Sequence, residues 1–149
     1  MTPGRTRAGF EVALRWAAYI LFYGYVLLLV IAGAWGALFA PVDFDLLLGF
    51  DLPAGDDLAR ANVLSQYRFL RAIELSVGVI ILVYRREVFS TRRYNRLFLM
   101  VLGAGILGRV ISLVVDGTPS PIFLFFIISE LAALVAIYAH TRRTGFIGH

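Results

Sequence analysis

The chain has 149 residues, of which 60% are apolar or aromatic; 14 basic and 10 acidic side chains leave a net charge of +4. A soluble domain carries about a quarter charged residues and just under half apolar ones, so this composition argues against both a disordered chain and an ordinary soluble enzyme. It points to one integral membrane domain, because the longest stretch between spans, residues 40–66, is too short for a second globular domain.

The first span is the cleanest. Residues 16–42 contain no charge and are bracketed by Arg15 and Asp43. A helix over 12–39 follows, ended by Pro41. A signal peptide would show an apolar core of only about 7–15 residues, so the helix is expected to be retained. Next, Phe44, Leu46, Leu47, Leu48, Phe50 and Leu52 alternate with Asp43, Asp45 and Asp51. A solvated loop would leave six large apolar groups in water, so 42–52 is expected to be an interfacial segment, lying on the bilayer or capping the bundle. In the second span the uncharged stretch runs only from 75 to 84. A helix over 67–84 reaches a crossing length only by carrying Arg68, Arg71 and Glu74 with it. The third helix, 97–115, is interrupted by Arg109, and the fourth, 121–140, by Glu130. Asp116-Gly117-Thr118-Pro119-Ser120-Pro121 is a tight turn between them, with Pro121 suited to a first helical turn. The expected fold is an all-α, integral-membrane four-helix bundle.

Charge gives this bundle an orientation. Arg5, Arg7 and Arg15, then Arg85, Arg86, Arg92, Arg93 and Arg96, then Arg142 and Arg143 share one side. Asp43, Asp45, Asp51, Asp56, Asp57 and Asp116, with Arg60, share the other. Cytoplasmic connections are enriched in Arg and Lys, so both termini and the middle connection are expected in the cytoplasm. Trp16 and Tyr19 suit the inner aromatic belt, and Trp35 and Phe39 the outer one. All fourteen basic residues are Arg. They sit at helix ends and within helices without a continuous basic face, which argues against nucleic acid as a partner.

Four ionisable residues fall inside spans: Arg71, Glu74, Arg109 and Glu130. Such residues are costly in hydrocarbon and usually face the bundle interior in pairs. At 1.5 Å per residue they lie about 6, 10, 9 and 14 Å in from the outer helix ends, and their charges sum to zero. One connected network is therefore expected, with Glu130 bonded to at least one of the two arginines. Tyr67, Arg71, Glu74 and Gly78 share one side of the second helix. Gly105, Arg109, Ser112 and Asp116 form a stripe on the third, where Gly105 and Gly108 would admit a close neighbour. Asp116 either caps that helix or reaches Arg109, and Arg68 is expected to extend to the outer surface. The cluster reads either as a polar pocket open outward for a small ligand, or as a salt-bridge network that fixes helix register.

Other chemistry is thin. The chain has no Cys and only His140 and His149 as histidines. That excludes disulfides and iron–sulfur clusters, two-His haem ligation within the bilayer, and a zinc site of three or four clustered ligands. No intramembrane His stands ready to activate a Ser, and the glycines from Gly103 to Gly108 follow no strand, so neither a hydrolase triad nor a nucleotide loop is indicated. No catalytic residue, metal or cofactor is assigned.

Arg71 and Glu74 followed by Gly78, then Gly108-Arg109, Asp116-Gly117 and Pro119-Ser120, form a pattern that resembles the bacterial four-helix membrane proteins catalogued as domain of unknown function 4345. The resemblance covers about residues 12–140 and implies a fold without an activity. More distantly the layout is similar to the DoxX-like and sterol-isomerase-like bundles, an analogy of fold alone. The function expected is that of a small accessory or structural subunit of a larger membrane complex. Its partners would be membrane lipids and other subunits or further copies of itself. The alternative is a binder of a lipid or quinone-like molecule, or an isomerase-like enzyme, using the Arg/Glu cluster.

Overall fold

The computed structural model describes residues 3–49 and 57–146, with only the backbone of residues 3–8. The described residues form six helices and no strand: α1 Pro3–Leu38, α2 Ala40–Leu48, α3 Asp57–Val83, α4 Arg85–Ser90, α5 Arg92–Val115 and α6 Pro121–Thr144. Three of them are long and apolar enough to cross a membrane, over Gly9–Leu38, Arg92–Val115 and Pro121–Thr144. Only 11–22% of the residues in their apolar windows are buried within the protein. The rest of that surface suits hydrocarbon rather than water.

The helices are longer than hydropathy alone indicates. α3 starts at Asp57 rather than at residue 67, so Arg60 lies on helix rather than in a connection. α5 starts at Arg92 and α6 continues to Thr144. At both ends the added turns carry exposed arginines on one side and a buried residue, Asn95 or Thr141, on the other. A polar helix face is legible to helical periodicity but not to a hydrophobic window. The Arg-rich middle connection contains α4.

The 42–52 segment is α2 over most of its described length. Pro41 sits in its first turn, where a missing N–H costs nothing. Gly49 ends it with φ 70°, its N–H bonded to the Asp45 carbonyl at 2.8 Å, the left-handed C-cap that glycine adopts without strain. Phe44 turns inward, edge-on to the Tyr67 ring. Leu46 is 78% exposed, so any shielding of it comes from lipid or a partner rather than from this chain. Phe50 and Leu52 lie outside the described residues.

The chain divides into two compact units, one of Met1–Tyr25 with Tyr84–His149 and one of Val26–Val83. The core of the first is aromatic: Phe22 packs against Phe89 and Phe98 with centroids 5.0 and 5.2 Å apart, and Tyr19 stacks on Phe89 at 4.3 Å. Leu102, Ala133 and Ile137 continue that core along α5 and α6. Asn95 donates from its amide to the Val88 carbonyl at 3.0 Å, tying the C-terminal turn of α4 to α5.

The second unit is built on small residues. A Cβ at Gly33 would stand 2.5 Å from the Leu75 amide nitrogen and 2.8 Å from the Arg71 carbonyl oxygen, and one at Gly78 would stand 2.8 Å from Val30 Cγ2. The second half of α1 and α3 therefore approach backbone to backbone, as small residues allow in membrane helices. Gly105 and Gly108, where close approach was expected, have open space beside them. Their pattern was a fair packing signal, but among the described residues no helix uses it.

Candidate functional site: two buried charge clusters

In the second unit, Arg71 is the centre of a cluster drawn from two helices. It is 8% exposed. Nη2 meets Asp43 Oδ2 at 2.7 Å, and Nη1 donates to Glu74 Oε2 at 2.7 Å. Nε and Nη2 also donate to the Tyr67 hydroxyl at 3.2 and 2.9 Å. That hydroxyl in turn donates to Asp43 Oδ2 at 2.6 Å. Tyr67 thus uses its one proton and accepts from the guanidinium, the full capacity of a phenol. The spacing of 67, 71 and 74 along α3 puts all three side chains on one face. Asp43 comes from the first turn of α2, where the helix dipole favours a carboxylate.

Gly36 makes the room. A Cβ there would fall 2.5 Å from Arg71 Nε and 2.6 Å from Asp43 Oδ2. Beside it, Arg68 Nη1 donates to the Ala37 carbonyl at 3.3 Å. The helical partner of that carbonyl would be the amide of residue 41, which is proline and has no N–H. Arg68 is exposed, as its expected reach toward the surface requires, and it also satisfies the end of α1.

In the first unit, Arg109 of α5 and Glu130 of α6 form a two-pronged pair. Nε lies 3.1 Å from Oε2 and 3.3 Å from Oε1, and Nη2 lies 3.2 Å from Oε1. The Glu130 side chain is 8% exposed and that of Arg109 is 32% exposed. Phe126 and Phe123 flank the guanidinium at 5.3 and 6.0 Å from their ring centroids, so aromatic faces shield its open side.

The structure thus brings Arg71 together with Glu74 and Tyr67, and Arg109 together with Glu130, each group inside its own unit. Ser112 and Asp116 are exposed. Asp116 ends α5, its backbone N–H bonded to the Ser112 carbonyl at 2.7 Å, and among the described residues the Arg109 guanidinium bonds to Glu130 instead. The residue that sequence reasoning missed is Asp43, counted among the charges of the outer connection. Pro41 was the available signal: a proline that ends one helix can open the next, which puts Asp43 in a first turn. With Asp43 included there are three carboxylates to two guanidiniums, so the expected zero balance becomes an excess of one acid. Glu74 holds the more open position, with its side chain 39% exposed.

Chemically, both clusters are satisfied by their own members. Among the described residues no buried side-chain nitrogen or oxygen lacks a hydrogen-bond partner, and no three His, Cys, Asp or Glu side chains gather as metal ligands. The first unit has cavities of about 890, 410 and 360 Å³, all lined by residues other than these five charges.

Long apolar helices and charges neutralised in buried pairs define an α-helical membrane protein. Within that class the chain belongs to the family described as Domain of unknown function (DUF4345), which matches residues 13–140. No curated protein and no solved structure matches it.

Proposed function

We propose that this is a four-span protein of a bacterial inner membrane, with both termini cytoplasmic, and that it serves as an accessory or structural subunit of a larger membrane complex. The observation that carries the reading is the internal pairing of the buried charges. Arg71 is occupied by Asp43, Glu74 and Tyr67, and Arg109 by Glu130. Groups consumed in this way fix helix register and are not free to act on a substrate.

The same pairing supports α3 as the fourth span. With Arg71 neutralised, the outward side of its C-terminal part presents Phe69, Leu70, Ile73, Val79, Ile80 and Val83, all exposed. Such a face suits lipid or another transmembrane helix. The Arg-rich ends and the opposite Asp-rich connection support the orientation.

A second reading rests on Glu74. Its side chain is the most open part of the buried charge clusters, and the excess acid there would favour a ligand that donates hydrogen bonds, such as a lipid head bearing hydroxyl or ammonium groups or the reduced, quinol form of a quinone-like molecule. Purification in a mild detergent followed by native mass spectrometry separates the two. A defined complex with other proteins, or a defined oligomer, supports the subunit reading. A monomer retaining a lipid or quinone at fixed stoichiometry, lost in Glu74→Gln, overturns it in favour of the binder.

A further inference from the structure

The largest cavity described in the first unit, about 890 Å³, lies between the start of α5 and the end of α6. Arg92, Arg93, Arg96 and Arg142 line it, and its described lining contains no acidic residue. Among the described residues none of the four is paired with a carboxylate; Arg142 lies over the Tyr138 ring at 5.1 Å. Four guanidiniums around one space repel each other, and an anion between them relieves that repulsion while accepting their forked N–H groups.

We propose that this cavity binds the phosphodiester head of an anionic phospholipid. Three observations favour a lipid over a free anion. The cavity falls within the roughly 300–1,000 Å³ range of sites for organic ligands, and is large for one inorganic ion. Leu97 and Met100 also line it, 51% and 69% exposed. They follow Arg93 and Arg96 at i+4 on α5, so charge gives way to apolar surface along one helix face, matching an amphiphile with a charged head and an apolar tail. Finally, both helices that form the cavity are long and apolar enough to cross a membrane, and they meet it with their ends. That sets the arginines at the level of headgroups, where basic pockets between transmembrane helices hold anionic lipids.

The test uses the full chain in detergent, titrated with phosphatidylglycerol or phosphatidylcholine and read by native mass spectrometry. Phosphatidylglycerol should bind at least tenfold tighter. Arg96→Gln should reduce that preference at least threefold, and Arg96→Gln with Arg142→Gln should abolish it. Arg60→Gln, on α3, should leave it intact. Both cavity arginines are exposed, and matching thermal unfolding curves would show that the variants fold; Arg96→Lys, which keeps the charge, should retain most of the preference. Equal binding of the two lipids, or a folded double variant that keeps the preference, overturns the proposal. If glycerol 1-phosphate or inorganic phosphate displaces the lipid at equal concentration, the site takes a soluble phosphate and the lipid assignment is wrong.

Discussion

Arg71 reaches Asp43 at 2.7 Å across the space that a side chain at position 36 would fill. The ion pair and the glycine are one device: α1 gives up a side chain so that a guanidinium from α3 and a carboxylate from α2 can meet beside its backbone. Nothing in the hydropathy of α1 distinguishes Gly36 from Gly24, yet the structure separates them sharply. The first faces Arg71 and Asp43, and the second faces open space.

That contrast can be measured. Glycine within a helix costs about 1 kcal/mol relative to alanine, so Gly24→Ala should hold or raise the thermal unfolding temperature in detergent. Gly36→Ala should lower it, because overpacking a closed site costs about 1–3 kcal/mol and here also displaces a buried ion pair. Gly105→Ala and Gly108→Ala should behave like Gly24→Ala. Equal effects at positions 24 and 36 would show that the close approach of α1 and α3 does not exist in the folded protein.

Asp43 and Arg71 give a second test. Removing one partner of a buried pair leaves an uncompensated charge and costs about 3–5 kcal/mol, whereas removing both is far milder. Arg71→Leu should leave Asp43 buried with, among the described residues, only the Tyr67 hydroxyl as side-chain partner. Asp43→Leu should be less severe, since Glu74 still neutralises the guanidinium at 2.7 Å. The double variant should unfold at a higher temperature than Arg71→Leu alone. Additive losses would mean that the two side chains act independently.

These residues also mark how far the sequence reaches. The apolar runs of α1, α5 and α6 exceed any soluble helix pattern, and so the membrane class is legible from composition. The pair Arg109 and Glu130 is legible too, because charges at similar depth in neighbouring apolar helices have few alternatives to each other. Asp43 was not, for it lies past a proline in a segment expected at the interface, where its charge had no reason to turn toward the spans. Nor was the true extent of α3, since Asp57, Arg60, Asn62, Ser65 and Gln66 interrupt the apolar residues of 57–66 and leave no hydropathy window there. The glycine contacts were legible only in part: Gly78 stands where the α3 stripe puts it, but Gly105 and Gly108 show the same spacing and meet nothing. Spacing reveals which glycines can admit a neighbour, and only the partner helix decides which of them do.

The orientation proposed from the arginine distribution has a direct readout. The chain contains no cysteine, so single cysteines can be introduced without background. Asp57→Cys, at the start of α3, should react from outside intact cells with a membrane-impermeant thiol reagent. Thr91→Cys, between α4 and α5, should react only after the membrane is opened. The opposite pattern would invert the topology, and reaction of both from outside would remove α3 from the set of spans.

The pair of Arg109 and Glu130 differs from that of Arg71 and Asp43 in its exposure, and the difference sets the expected outcome. Glu130 is nearly enclosed, while about a third of the Arg109 side chain is open. A stranded Glu130 therefore costs more than a stranded Arg109, which can turn its head toward the surroundings while keeping its stem packed. Arg109→Leu should destabilise by an amount approaching the roughly 3–5 kcal/mol of a broken buried pair, and Glu130→Leu by less. Combining the two should restore much of the loss, so that the double variant unfolds above Arg109→Leu alone. Glu130→Gln separates charge from shape: it keeps an acceptor for Nε and Nη2 but removes the ion pair, and should fall between wild type and Glu130→Leu. If all three single variants unfold with the wild-type midpoint in detergent and in reconstituted bilayers, the pair contributes nothing to folding. The reading of these charges as register-fixing elements would then give way to one in which they serve a ligand.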